Sequence, residues 1–369
     1  MRPDLSRHPA NDISHWSRPW FCLTLNDGSM KTKVYTTADA FDALADAFDA
    51  LAAHWNSLLQ ASAADTPFLT REWQTAFWRA LGEGDLRIVA AYADDGKLIG
   101  IGPLYSVPGG HKTELRFIGG VDPSDYLDFI IVRGREADAG AAILDALAAD
   151  PDWQIIDLYN IPEDSPTRTW LTPAAAVRGW TVSDERQTVT PKVMLNGSFD
   201  EYVASLDKRE RHELRRKLRR AAAIEGLRWY LVDGEFASEL EPEVDAFLDL
   251  MIRSRPDKAD FMTPRMRSFF YEAVRAAHRG RWLQLAFLEI EGRKVATYLS
   301  FDYGDRLMVY NSGYEPDSPF SPGIVLIARL IERAVQHGKH IVDFMRGDEE
   351  YKYRLGAKDA WVHRIRVVR

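Results

Sequence analysis

The chain has 369 residues, 46% hydrophobic and 28% charged, with one cysteine and a formal net charge of −8. This composition supports a large core and excludes global disorder. A lone Cys22 excludes an internal disulfide and a thiolate metal cluster, no stretch approaches the ~18 apolar residues of a bilayer span, and the acidic balance argues against generic nucleic-acid affinity. At about 100–200 residues per domain, two domains are expected. The cysteine usage points to a reducing, cytoplasmic location.

Residues 1–30 mix Pro3, Pro9 and Pro19 with polar residues and show no period. They read as a disordered arm, with Trp16, Trp20 and Phe21 free to touch a partner, or as residues ahead of a true start at Met30. The patterned chain begins near Lys31. A helix is expected over Ala38 to Gln60, from the spacing of Phe41, Leu44, Phe48 and Leu51. A second, with a Thr cap, runs from Thr70 to Ala80. Alternation then gives strands at Leu86–Tyr92 and Leu98–Tyr105 around the Asp95-Gly96 turn, a strong hairpin signal. Strands at Leu115–Ile118 and Tyr126–Val132, an Ala-rich helix at Ala137–Ala149 and a strand at Trp153–Tyr159 complete the series.

Asp207 to Arg220 is a helix holding Lys208, Arg209, Arg211, Arg215, Arg216, Lys217, Arg219 and Arg220. It reads as a clamp for a polyanion, Arg215 and Arg216 included, or as a solvated face. Helices follow at Pro242–Arg253 and Pro264–His278, each with Pro near the first turn. The earlier script then recurs: strands at Trp282–Ile290, Val295–Phe301 and Leu307–Asn311, a helix at Gly323–Gln336, and a strand at His340–Phe344. The offset is roughly 190 residues, too long for a solenoid and suggestive of two copies of one module. Asp157 and Asp343 fall late in the two matching final strands. The expected organisation is residues 31–190 and 191–369, the second including the basic helix.

The densest run of ionisable and aromatic residues is Asp343-Phe344-Met345-Arg346-Gly347-Asp348-Glu349-Glu350-Tyr351-Lys352-Tyr353-Arg354. Such strand ends open onto ligand crevices in α/β sheets. With Ser321-Pro322-Gly323, the Arg-rich helix, and Gly119-Gly120 followed by Asp125-Tyr126 and Asp128, this run resembles the acetyltransferase family of cellulose and exopolysaccharide gene clusters. That family has a GNAT-type fold. The chain also resembles the FemAB aminoacyltransferases, which carry two such modules in tandem. The resemblance covers about Phe68 to Arg369.

It implies an α/β (α+β) fold of tandem GNAT-like modules, each a mixed, mainly antiparallel sheet flanked by helices. It also implies a direct attack by an amine on an acyl thioester. Tyr351 stands where it implies a general acid, with Glu350, Asp348 or Asp343 taking the amine proton. Ser321, Gly323 and Ile324 occupy the place of the pyrophosphate cradle at a helix N-terminus. The loop has fewer glycines than an acetyl-CoA loop usually has, and Pro319 and Pro322 remove two N–H donors. That leaves room for a donor longer than acetyl. Backbone N–H groups from Asn311 to Tyr314 are expected to polarise the thioester carbonyl. Asp125, Tyr126, Asp128, Tyr314, Arg346 and Lys352 are expected around the acceptor.

The leading expectation is therefore a cytoplasmic N-acyltransferase using acetyl-CoA or a longer acyl-CoA and no metal. Its acceptor would be the amine of an amino sugar, a lipid-linked saccharide or a long-chain amino alcohol, with peripheral contact at the inner face of the membrane. The alternatives are tRNA-dependent aminoacyl transfer and a non-catalytic module binding a cyclic dinucleotide through the basic helix.

Overall fold

A computed structural model describes residues 30–36, 49–109, 112–232, 237–318 and 320–369. The N-terminal arm, the start of the 38–60 helix and Pro319 lie outside them. The first module contains β1 (Lys31–Tyr35), α1 (Asp49–Gln60), α2 (Arg71–Leu81), β2 (Asp85–Tyr92), β3 (Leu98–Gly109), β4 (Lys112–Phe117), β5 (Ile130–Ile131), α3 (Glu136–Ala148), β6 (Ile155–Pro162), α4 (Thr167–Val177) and β7 (Thr181–Val189). The second contains β8 (Lys192–Met194), α5 (Phe199–Ser205), α6 (Lys208–Ala222), β9 (Leu227–Leu231), α7 (Ala237–Ser254), α8 (Pro256–Phe261), α9 (Pro264–Arg279), β10 (Leu283–Ile290), β11 (Arg293–Tyr303), β12 (Arg306–Tyr314), α10 (Pro322–Gln336), β13 (Ile341–Asp343) and α11 (Glu350–Arg354). The last strand is β14 (Trp361–Val368).

Local chemistry sets many of these boundaries. Gly96 adopts φ +83° at the hairpin turn, and Asp95 accepts a hydrogen bond from the Lys97 N–H at 2.9 Å. Thr70 and Thr263 cap α2 and α9 by accepting from the N–H groups of Trp73 and Met266. The strand expected over 126–132 shrinks to Ile130–Ile131. Asp128 turns inward instead, accepting from Ser165 and Thr167 at 2.5 Å each and from its neighbour's Phe129 N–H at 2.8 Å. Helix α7 starts earlier than expected, which places Pro242 inside it.

The two sheets have one topology. The first runs β1-β2-β3-β4-β6-β14-β7, with β5 beside β3; the second runs β9-β10-β11-β12-β13-β8. In each, a four-stranded antiparallel meander meets one parallel strand, reached through a crossover helix. That strand is followed by one antiparallel neighbour, β14 or β8. Six strands of the first sheet thus match the second in order and direction, with β5 and β7 additional. The last strand of each set is exchanged: β8 precedes the second meander in the chain, and β14 is the chain's end inserted between β6 and β7. This corrects the expectation that residues 191–369 form one module, because 361–368 lie in the first sheet. Their register on both sides buries Val362, Ile365 and Val367 there.

The modules share one core. Phe68 and Trp73 of the first pack edge-on against Phe269 and Phe301 of the second, with Tyr310 stacked on Phe301 at 5.3 Å. The aromatic richness of the sequence is spent largely here. Helix α7 lies directly on β12 at Gly313, where a Cβ would come within 2.3 Å of the Met251 backbone nitrogen. No rotamer relieves a backbone clash. Gly313→Ala is expected to lower stability by about 1–3 kcal/mol, the cost of overpacking. Urea unfolding checks this, and an unchanged midpoint would contradict the contact.

Candidate active site

The parallel strands β12 and β13 pair over only three positions, Arg306–Ile341 to Met308–Asp343. Beyond them the strands diverge. The chain after β13 turns onto the linker between the modules: the Phe344 N–H bonds to Pro191 O and the Gly347 N–H to Val189 O, both at 3.0 Å. Strand β12 continues paired with β11 but without β13 on its other edge, and it carries a bulge at Tyr310, because Val309 pairs with Ser300 and Asn311 with Leu299. Its far half therefore presents backbone groups to a cleft of about 420 Å³. In the first module β4 and β6 diverge in the same way, but the chain fills its own gap. Leu127 N–H bonds to Asn160 O, and Asn160 Nδ2 holds Val121 O and Ser124 O.

The cleft walls come from both modules. Asp122 and Asp125 stand on one side; Arg255, Lys258 and Phe261 on another; Tyr310, Asn311, Ser312 and Tyr314 along β12; and Arg346, Glu349, Tyr351 and Lys352 after β13. Met345 takes φ +57°, a left-handed turn that a Met rarely adopts, and Asp343 holds its N–H at 2.9 Å. The turn sends Arg346 to the first module, where it pairs with Asp125 at 2.6 Å and donates to Asp122 O and Asn160 Oδ1. Burial raises the Asp125 carboxyl above its ordinary range despite Arg346. Lys352 is buried, and its ammonium donates to the carbonyls of Met345, Arg346 and Gly347 at 2.9–3.2 Å and pairs with Glu349 at 2.8 Å. Burial opposes ionisation of Glu349, but Lys352 and Arg255 overcome it and hold the carboxyl low.

Tyr351 meets Phe344 edge-on at 5.9 Å. Burial, then Tyr298, Glu349 and Tyr314, push its phenol well above 10. It stays protonated and can donate a hydrogen bond. Lys258 donates to Ser312 O at 2.5 Å. Burial and the charge of Arg255 push its ammonium down to about 8.

The N-terminus of α10 lies beside this cleft, with Gly323 next to Tyr314 and Tyr298. Its first turn leaves the N–H groups of Gly323 and Ile324 without helical partners, Pro322 having none to offer. Lys217 of α6 donates to Ser321 Oγ at 2.9 Å, so a cation sits at this helix end. Two amides, a helix dipole and a lysine suit an anionic group.

Residues 208–353, less than half of the chain, match a family model described as an acetyltransferase (GNAT) domain. The second module is a GNAT-type acyltransferase domain. Among solved structures, FemX is similar with a TM-score of 0.62 at 14% identity, covering 85% of this chain and 95% of that one. A conserved protein of unknown function from Bacteroides thetaiotaomicron gives 0.56 at 11% identity, over 86% and 97%. L-PGS from Bacillus licheniformis gives 0.51 at 13% identity, over 85% and 91%. These likenesses show a shared fold. No curated protein matches the chain in sequence.

Several residues expected at the site do line the GNAT domain's cleft: Asn311, Tyr314, Arg346, Tyr351, Lys352 and, from the first module, Asp125. Others do not. Glu350 points to solvent, 77% exposed and paired with Arg354. Asp343 is fully buried, accepting from Tyr126 Oη at 2.9–3.0 Å and facing Lys192 of β8 at 3.7 Å. Its counterpart Asp157 is held by Arg364 of β14 at 2.6–2.8 Å, so each exchanged strand brings a cation to the matching carboxylate. Both are structural ties, and Tyr126 belongs to one of them. Asp128 lies away from the cleft in the first module, its pKa raised to about 6 by burial, against the hydrogen bonds of Ser165 and Thr167. Arg215 is exposed and Arg216 pairs with Glu213 at 2.7 Å on the outer face of α6, whereas Lys217 faces α10.

Arg255, Lys258 and Glu349 were missed as site residues. Residues 255–260 fall between the two expected helices, and nothing local marks them. Lys217 had a usable signal: Leu214, Leu218 and Ala221 define the buried stripe of α6, and Lys217 flanks it. Among the described residues no group of His, Cys, Asp and Glu could hold a metal ion, and no helix is long and apolar enough to cross a membrane.

Proposed function

We propose that this protein transfers an acyl group from acyl-CoA to the amine of a cell-envelope building block, in the cleft between β12 and β13. The observation that carries the reading is the divergence of these strands beside an anion-suited helix end, within the segment that matches the acetyltransferase model. The donor's phosphates would lie at Gly323, Ile324 and Lys217. Its thioester would lie along the free edge of β12's far half, where backbone N–H groups stabilise negative charge on the carbonyl oxygen. The amine would enter from the first module's side, past Asp122 and Asp125. Tyr351 would donate a hydrogen bond to the departing sulfur. With the closed cleft in the first module, one reaction centre per chain is expected.

Release of free thiol from acetyl-CoA and long-chain acyl-CoAs, with amino sugars and amino alcohols as acceptors, tests this directly. Thiol release with matching amide product is expected; no turnover with any donor–amine pair would overturn it. Lys217→Ala is expected to weaken CoA binding about tenfold, the loss of one charge-assisted hydrogen bond. Calorimetry checks this, and unchanged affinity would remove Lys217 from the donor site.

A second reading is aminoacyl transfer from tRNA, favoured by the fold shared with FemX across most of both chains and by the exposed cations of α6. Here reversing Arg215 and Arg216 would abolish salt-sensitive tRNA binding and leave CoA binding intact.

A further inference from the structure

We propose that Lys258 is the base that takes the proton from the attacking amine. The inference rests on the acyl-transfer reading above and assigns one step of it. Helix α8 follows α7 after the extended Arg255 and brings Lys258 to the free edge of β12, where its amine nitrogen lies 2.5 Å from Ser312 O. That is the edge along which a thioester carbonyl would be held. The cleft's other candidate bases are engaged. Asp125 is bound by Arg346, and Glu349 by Lys352. Asp122 sits exposed on the outer rim, no histidine lines the cleft, and Glu350 and Asp343 lie outside it.

The groups acting on Lys258 are Arg255 and Asp257 at its own corner and Glu349 across the cleft. Burial and Arg255 favour the neutral amine; Glu349 and Asp257 only partly oppose them. With the ammonium titrating at about 8, a substantial neutral fraction exists at ordinary pH. A neutral lysine keeps one N–H on Ser312 O and directs its lone pair elsewhere. The step then balances. The acceptor nitrogen forms the C–N bond and gives one proton to Lys258 Nζ. The C–S bond breaks, the thiolate leaves with the Tyr351 hydroxyl hydrogen-bonded to it, and it gains its proton from solvent. Lys258 returns its proton to solvent.

The test uses the full chain. Lys258→Met and Lys258→Arg are each expected to lower kcat about 100-fold or more, with CoA affinity within twofold of the parent. In the parent, activity rises as pH passes through about 8, because the ammonium must lose its proton. That limb is expected to vanish in both variants, leaving only the acceptor amine's own titration. A small tertiary amine, which accepts a proton but forms no amide, is expected to restore part of the Met variant's rate. Activity retained in Lys258→Arg would overturn the proposal in favour of a fixed charge, as would a persisting limb or absent rescue. Glu350→Gln, outside the cleft, is the control and is expected to retain the limb. Independently of turnover, reductive 13C-methylation and NMR should place the signal lost in Lys258→Arg near pH 8; titration near 10.5 would overturn the proposal. An inactive parent would remove the transfer reading and this step together, whereas an active parent with unaffected variants would remove this step alone.

Discussion

Deleting Trp361–Arg369 is expected to abolish the folded first module, although the deletion falls wholly in the half of the chain that follows it. Strand β14 is interior to the first sheet, bonded to β6 on one side and β7 on the other. Its loss removes three aliphatic side chains that are essentially fully buried, worth about 1.5–3 kcal/mol each. It leaves the buried Asp157 without Arg364 and opens two unpaired strand edges. Together these losses rival the ~5–15 kcal/mol that stabilises a domain. Soluble yield, circular dichroism and limited proteolysis of the truncated chain check this. A cooperative melt within a few degrees of the full chain would show that β7 closes onto β6 unaided, and the exchange would then be ornamental.

Tyr351→Phe is expected to lower kcat about 100-fold at unchanged donor affinity. The variant keeps the edge-on packing against Phe344 and loses only the hydroxyl. Removing one donor aimed at developing charge costs about 10²–10³ in rate. The phenol's raised pKa sharpens the role. A group well above 10 is a poor source of a proton for a thiolate but a permanent hydrogen-bond donor. Since the active form is the protonated one and its pKa is raised, no falling limb from Tyr351 is expected below pH 10. Steady-state kinetics with calorimetry separates the outcomes: weakened donor binding at unchanged kcat would make Tyr351 a contact for the donor instead.

Much of this architecture is legible in the sequence because it is written locally. Period-two alternation around Asp95-Gly96 marks a hairpin, threonines mark helix starts, and the recurring order of elements marks the duplication. What local pattern does not carry is partnership. The alternation of Trp361–Val368 gives a strand but cannot say which sheet receives it. The acidic residues of the 343–354 run look alike on paper, yet Asp343 is sealed beneath Tyr126, Glu349 faces the cleft and Glu350 faces water. The helix boundary separates the last pair, since Glu349 is the non-helical residue before α11 and Glu350 is its first helical position. For Lys258 the deciding fact is that Gly313 lets α7 rest on β12, which carries the following turn to the strand's free edge. That is a tertiary contact with no short-range signature.

The exchanged strands also govern when this protein can fold. During synthesis the first sheet emerges complete except for one interior strand, which follows only after the whole second sheet. Residues 155–189 must therefore wait for partners about 170–210 positions downstream, and closing so long a loop is slow. Domain-by-domain folding from the N-terminus, the usual economy of multidomain chains, is unavailable here. A stalled or prematurely terminated chain would display open edges on β6 and β7, an invitation to aggregate, and no half of the molecule would be left working.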